Sequence, residues 1–153
     1  MAGVMASRKL VMRVDFLEQY LKFISFLATE IRYSASSIFQ LLEKYSKAQL
    51  LAPLLKECII KIEAGASLSD AFQGAADELP KEYGLMQEDL RLLKEFGQGL
   101  GTSDIEGQLA HCSLHTELMN TYLDNAREEK KKKAKLYVML GLFSGIAAAL
   151  LFS

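Results

Sequence analysis

His111 and His115 stand four residues apart, the spacing at which two imidazoles on one helix face can share a metal ion. A zinc-peptidase helix needs a glutamate directly after its first histidine, and here that position is Cys112. Cys112 points about 100° away round the helix, which makes its thiol a poor third ligand. No other histidine exists in the chain, so a metalloenzyme built on this pair would rest on carboxylates alone. The pair reads as helix surface or interface. The stretch FGQGLG, Phe96 to Gly101, has the glycines of a phosphate-cradling loop but neither its lysine nor its spacing, and it follows a helical segment instead of a strand. Its glycines read as a turn between packed helices that uses left-handed conformations. No Ser/His/Asp or Cys/His arrangement can be assembled. The residues point to no catalytic group, no metal and no cofactor, so the chain reads as a non-enzyme.

The elements that would hold these residues are helical. The chain has 153 residues, enough for one domain, with half of them apolar and 24% charged. There are two prolines and no tryptophan, and long runs of Leu, Ala, Glu, Lys and Gln favour helix. The net charge of −1 conceals an asymmetry. Residues 1–129 hold thirteen basic and nineteen acidic residues, a net −6, whereas residues 130–135 hold five lysines and no acid. An acidic body gives nucleic acid no basic face to bind. Cys58 and Cys112, lone and far apart, read as reduced thiols.

Leu136 to Phe152 is a run of 17 residues without a charge. As a helix it covers about 25 Å, slightly less than a hydrocarbon core of about 30 Å. We read 136–152 as a transmembrane helix and 130–135 as a basic juxtamembrane stalk. Lys130, Lys131, Lys132, Lys133 and Lys135 then flank the anchor, meet anionic lipid, and keep the body on the cytoplasmic side. Gly141 and Gly145 form a G-x-x-x-G stripe suited to helix packing in the membrane. Residues 1–6, followed by Arg8, Lys9 and Arg13, read either as an ordinary frayed helix start or as the remnant of an upstream membrane helix with its own basic flank.

Residues 7–129 make the helical body. A first helix is expected from about Ser7 to Tyr33. One apolar seam comprises Leu10, Val14, Leu17, Leu21, Ile24, Ala28 and Ile31, and a second comprises Phe16, Tyr20, Phe23 and Leu27. Two seams demand two neighbours in a bundle or a second chain. Ser37 and Gln40 fit a capping box for a short helix ending near Tyr45. Pro53 fits the first turn of a third helix, with Leu54, Leu55, Cys58, Ile59 and Ile62 inward and Gly65 at its end. Ser67 and Asp70 open a fourth helix, Leu68 to about Glu78. A fifth is expected from about Met86 to Phe96, ended by Gly97. Ser103 and Glu106 fit a capping box for the last helix, which carries Ile105, Leu109, Cys112, Met119, Leu123 and Ala126 inward and continues into the span. The fold class is all-α: a six-helix bundle whose long final helix becomes the transmembrane segment.

Three stretches, EIRYSASSIFQLLEKYS, IEAGASLSDAFQ and DLRLLKEFGQGLGTSDIEGQLAHCSLHTEL with the lysine-rich tail, resemble the stage III sporulation protein AB family of endospore-forming bacteria. That family is similar to the F-type inner-membrane platform of type II secretion and type IV pilus systems. The resemblance spans Leu10 to Phe152, and its most specific part is F-G-x-x-L-G-x-x-D, here Phe96, Gly97, Leu100, Gly101 and Asp104. Gln108 also matches. Ser36, Ser37 and Ile38 depart from the Thr-Pro-Leu that often follows E-I-x-Y, though Ser37 keeps the helix start.

The resemblance implies a membrane platform in the machine joining mother cell and forespore. The chain would sit in the mother-cell membrane facing the forespore, with its body cytoplasmic. Its partners would be a secretion-type ATPase, other membrane proteins of the channel, lipid and further copies of itself. It also implies motif roles for Glu30 and Tyr33. Tyr33, Gly65, Phe96, Gly97, Leu100 and Gly101 read as packing and turn residues. Glu30 and Asp104 are the candidate partner contacts, because carboxylates avoid burial without a partner. The competing reading is a tail-anchored cytoplasmic adaptor with no secretion partner.

Overall fold

Both seams of the first helix are buried, and both by the same chain. The computed structural model describes residues 2–34 and 36–152, with side chains from residue 6 onward. The reading of residues 1–6 as the remnant of a span lies almost wholly outside those side chains, and Ser153 lies outside the described residues. Six helices follow in order: α1 (Ala2–Tyr33), α2 (Ile38–Tyr45), α3 (Ala52–Glu63), α4 (Leu68–Asp77), α5 (Gln87–Gly99) and α6 (Ile105–Phe152). A single 3-10 turn, Lys81–Tyr83, joins α4 to α5. No strand occurs among the described residues.

The long helices α1 and α6 run antiparallel and form the spine. Glu18 of α1 accepts a hydrogen bond from Arg127 of α6 at 3.0 Å, and Ser7, Arg8, Val11 and Met12 share a groove with Tyr137. At the opposite end Ile31 and Ser34 lie against Ile105 and Gln108. The shorter helices stack in sequence order, α2 on α3, α3 on α4, α4 on α5, and α5 closes onto α6. The second seam, Phe16, Tyr20, Phe23 and Leu27, is fully buried, while Leu21, Ala28 and Ile31 at the edge of the first are half-buried. One chain supplies neighbours to both seams. Burying some two dozen apolar side chains, each contributing about 1.5–3 kcal/mol, is what offsets the conformational entropy of ordering the helices.

Local signals set most helix boundaries. Ser37 Oγ accepts from the Gln40 backbone N–H at 3.2 Å and Gln40 Oε1 accepts from the Ser37 N–H at 3.0 Å, a complete capping box. At α4 only half of that pattern forms: Ser67 Oγ accepts from Asp70 N–H at 3.1 Å. α3 ends in a Schellman turn, with the Ala66 N–H reaching Lys61 O and the Gly65 N–H reaching Ile62 O, both at 3.0 Å.

Four expectations need correction. α1 is helical from Ala2 and does not begin at Ser7. α5 does not stop at Phe96 but continues through Gly97 to Gly99. The cap of α6 is Asp104, whose Oδ1 accepts from the Gly107 N–H at 2.8 Å, and not Ser103. Asp is as good an N-cap as Ser, and here it is the residue that stands one before Ile105.

The fourth correction concerns Arg13, which is a buried ion-pair residue and not part of an exposed basic flank. It is only 5% exposed and donates two hydrogen bonds to Asp89, Nε to Oδ2 at 2.7 Å and Nη2 to Oδ1 at 2.9 Å. Asp89 is completely buried and also accepts from the Met86 N–H at 2.8 Å, capping α5. Desolvation opposes the Arg13 charge. The Asp89 carboxylate, with Glu129 and Glu88 beyond it, outweighs that and leaves the Arg13 pKa raised.

α6 is unbroken from the bundle to Phe152. Its apolar window carries no buried residue. By length and composition it is the one helix among the described residues able to cross a membrane.

Candidate functional site

The two motif segments come together at the end of the bundle farthest from the apolar tail. Phe96 to Gln108 makes the turn from α5 into α6, and Ile31 to Ile38 makes the turn from α1 into α2. Ile31, Ser34, Ser36, Asp104, Ile105 and Gln108 line one groove of about 340 Å³ between them.

The α5–α6 turn is built from the inside out. Phe96 is completely buried, edge-on to Tyr20 and Phe72 and stacked on His111 at 5.1 Å. Gly97 allows α5 to lie directly on Phe72, since a Cβ there would come within 2.6 Å of the ring. Among the motif glycines only Gly101 is left-handed, at φ 74°, so it alone fits the expected turn conformation. Gly97 and Gly99 are helical, and their small size is used for close packing against Phe72 and His111. Leu100 is buried at the helix end. Gln108 then holds the turn shut. Its Nε2 donates to Gly99 O and Ser103 Oγ, both at 3.0 Å, and its Oε1 accepts from the Gly101 N–H at 3.1 Å. Its match to the family motif is visible in the sequence; its part as a clasp depends on a left-handed Gly101 that residue types alone do not reveal.

What remains exposed at this end is a short list with mixed chemistry. Tyr33, expected as a packing residue, is instead 80% exposed at the last residue of α1, and Ile105 is 59% exposed. Ile105 was expected inward; it stands at the first turn of α6, on the rim of the groove it shares with Ile31 of α1. Asp104 is exposed even while capping α6. Glu30 is half-buried and pairs with Lys44 of α2 at 3.6 Å. Such a partly solvated pair contributes under about 1 kcal/mol, so Glu30 can exchange Lys44 for another cation.

The histidines sit behind this turn. His111 Nε2 lies 2.7 Å from Phe96 O, so that nitrogen is the donor and the ring is tied to the backbone. His115 is 5% exposed, packed edge-on to His111 and Phe96. Among the described residues no group of three or more His, Cys, Asp or Glu is placed to hold a metal. Burial pulls the His115 imidazole down from 6.5 to about 4, with His111 adding to the effect. Burial also pushes the thiols up, Cys58 to about 12 and Cys112 to about 11, so neither is a reactive thiolate.

A pH dependence follows with a definite sign. The folded pKa of His115 lies below its unfolded value, so its contribution is intact above about pH 6.5 and is lost as pH falls towards about 4. Unfolding of the full chain in micelles should cost about 2 kcal/mol less at about pH 5 than at about pH 7. His115→Leu should flatten most of that slope, and an unchanged slope would assign it to other groups.

At the other end, Lys130, Lys131, Lys132 and Lys135 are exposed and Lys133 is half-buried. Among the described residues nothing beyond the adjoining stretch of α6 itself comes within 4 Å of a Cβ built on Gly141 or Gly145. Comparison with curated proteins and with solved structures found no match. The family model described as stage III sporulation protein AB matches residues 1–153, the whole chain, and this protein belongs to that family.

Proposed function

We propose that the chain is a non-enzymatic membrane platform in a secretion-like channel between mother cell and forespore, and that its membrane-distal end docks a cytoplasmic secretion-type ATPase. The observation that carries this reading is the convergence of the two motif turns, distant in sequence, at the end opposite the candidate span. A partner in the cytoplasm meets that end first. The lysines 130–135 support a cytoplasmic body held in the mother-cell membrane, by the bias of basic flanks towards that side. Buried thiols, a histidine pair committed to packing, and glycines that turn the chain or admit neighbouring side chains leave the polar groups of this end for recognition and not for chemistry. Other channel proteins and further copies of the chain would meet the remaining surfaces.

Titration calorimetry of the full chain in lipid nanodiscs against the cognate ATPase tests the docking. Tyr33→Ala should weaken binding about tenfold or more, the size expected for an exposed aromatic anchor. Asp104→Asn separates two roles, since Asn caps a helix as well as Asp but carries no charge. Glu30→Lys probes the second carboxylate without touching a cap. Saturable binding that none of these variants weakens would move the contact elsewhere. No binding at all by the wild-type chain would favour the tail-anchored adaptor.

A further inference from the structure

The α4–α5 connection lies at the level where the span begins. Tyr137 is the second residue of the uncharged run, and Ser7, Arg8, Val11 and Met12 line one groove with it. That stretch of α1 therefore sits at the membrane–water boundary wherever α6 enters the bilayer. Lys9 belongs to it. A Cβ built on Gly84 would strike the Lys9 backbone carbonyl, and Gly84 is left-handed at φ 68°, so the connection is seated directly on α1 at this height. It cannot swing away. Tyr83 is buried against Phe16 with ring centroids 5.5 Å apart, and the Arg13–Asp89 pair fixes the start of α5 just beyond.

The surface this leaves outward is that of a membrane-contacting turn. Met86 is 48% exposed and lines one groove with Glu88 and Arg91, while half-buried Leu79, Pro80 and Leu85 line a second with Lys9, Lys81 and Asp77. Arg8, Lys9 and Lys81 here face the exposed carboxylates of Asp77, Glu82 and Glu88, and the lysines 130–135 lie on the turns of α6 just before Tyr137. An apolar turn standing beside a basic stalk is chemistry that rests in the headgroup region of an anionic leaflet.

We propose that residues Leu79–Met86 form a second membrane contact, a shallow one that seats the helical bundle on the anionic leaflet beside the span. The contact rests on α6 being membrane-inserted, and the test separates the two. The chain lacks tryptophan, so a single one is a clean reporter. Met86→Trp, Ile105→Trp and Phe143→Trp are each made in the full chain and reconstituted into phosphatidylcholine–phosphatidylglycerol vesicles containing lipids brominated near the headgroup or deep in the chain.

The expected result is quenching of the residue-86 reporter by the shallow quencher, with about a twofold loss of emission. The residue-143 reporter should be quenched by the deep one, and the residue-105 reporter by neither. Replacing phosphatidylglycerol with phosphatidylcholine, or adding Lys9→Glu and Lys81→Glu, should restore much of the residue-86 emission. Quenching at 143 with none at 86 overturns the seating contact and leaves the span intact. No quenching at either position overturns both.

Discussion

Asp89→Ala is expected to destabilise the bundle by about 3–5 kcal/mol, the cost of stranding a buried guanidinium without its carboxylate. Arg13 is 5% exposed and Asp89 completely buried, so water cannot take the missing partner's place without opening the core. The same substitution removes the acceptor for the Met86 N–H and so uncaps α5, which alone costs about 1 kcal/mol. Urea unfolding of the full chain in micelles, followed by circular dichroism, measures the loss. Arg13→Met with Asp89→Leu is the informative partner variant. Removing both charges for apolar groups of similar size is often neutral, so the double variant should recover most of the loss apart from the cap. A double variant as weak as the single would show that packing at this junction, and not the unpaired charge, dominates.

Phe96→Ala should cost about 3–5 kcal/mol through the cavity it leaves. Phe96 is enclosed by Tyr20 of α1, Phe72 of α4 and both histidines of α6, so no single helix can move in to fill the space. The loss of ring contacts adds to the lost burial, since aromatic pairs contribute about 0.5–1.5 kcal/mol beyond their area. Phe96→Leu keeps most of the volume and should cost well under half as much. Comparable losses for Leu and Ala would indicate that the ring contacts, rather than the cavity, govern this position.

The helical architecture was legible because its signals are local and periodic. The steps of four and three from Leu10 to Ile31 announce a helix, and Ser37 with Gln40 announces the start of the next. The site was legible only as a set of motif residues. Phe96, Gly97, Leu100, Gly101 and Asp104 stand out in the sequence, but a glycine that turns the chain and a glycine that admits a neighbour look alike in it. Gly101 does the first and Gly97 the second, and only the approach of Phe72 tells them apart. Arg13 misled for a different reason. Next to Arg8 and Lys9 it reads as a flank, yet it stands three residues before Phe16 and hence on the buried second seam. Its partner Asp89 is 76 residues away, a distance over which no pattern in the chain connects them.

The pairing of the first helix with the last also governs when the protein can form. Glu18 and Arg127 are separated by 109 residues, and the face of α1 that α6 covers has no substitute until nearly the whole chain has been synthesised. The core made by α2 to α5 can gather earlier, but part of an apolar α1 waits uncovered throughout elongation. Because the covering half of α6 leads through the lysines 130–135 into the uncharged tail, closure of the bundle and emergence of that tail fall in the same brief interval. A ribosome stalled before residue 105 would leave the α6-facing side of α1 uncovered.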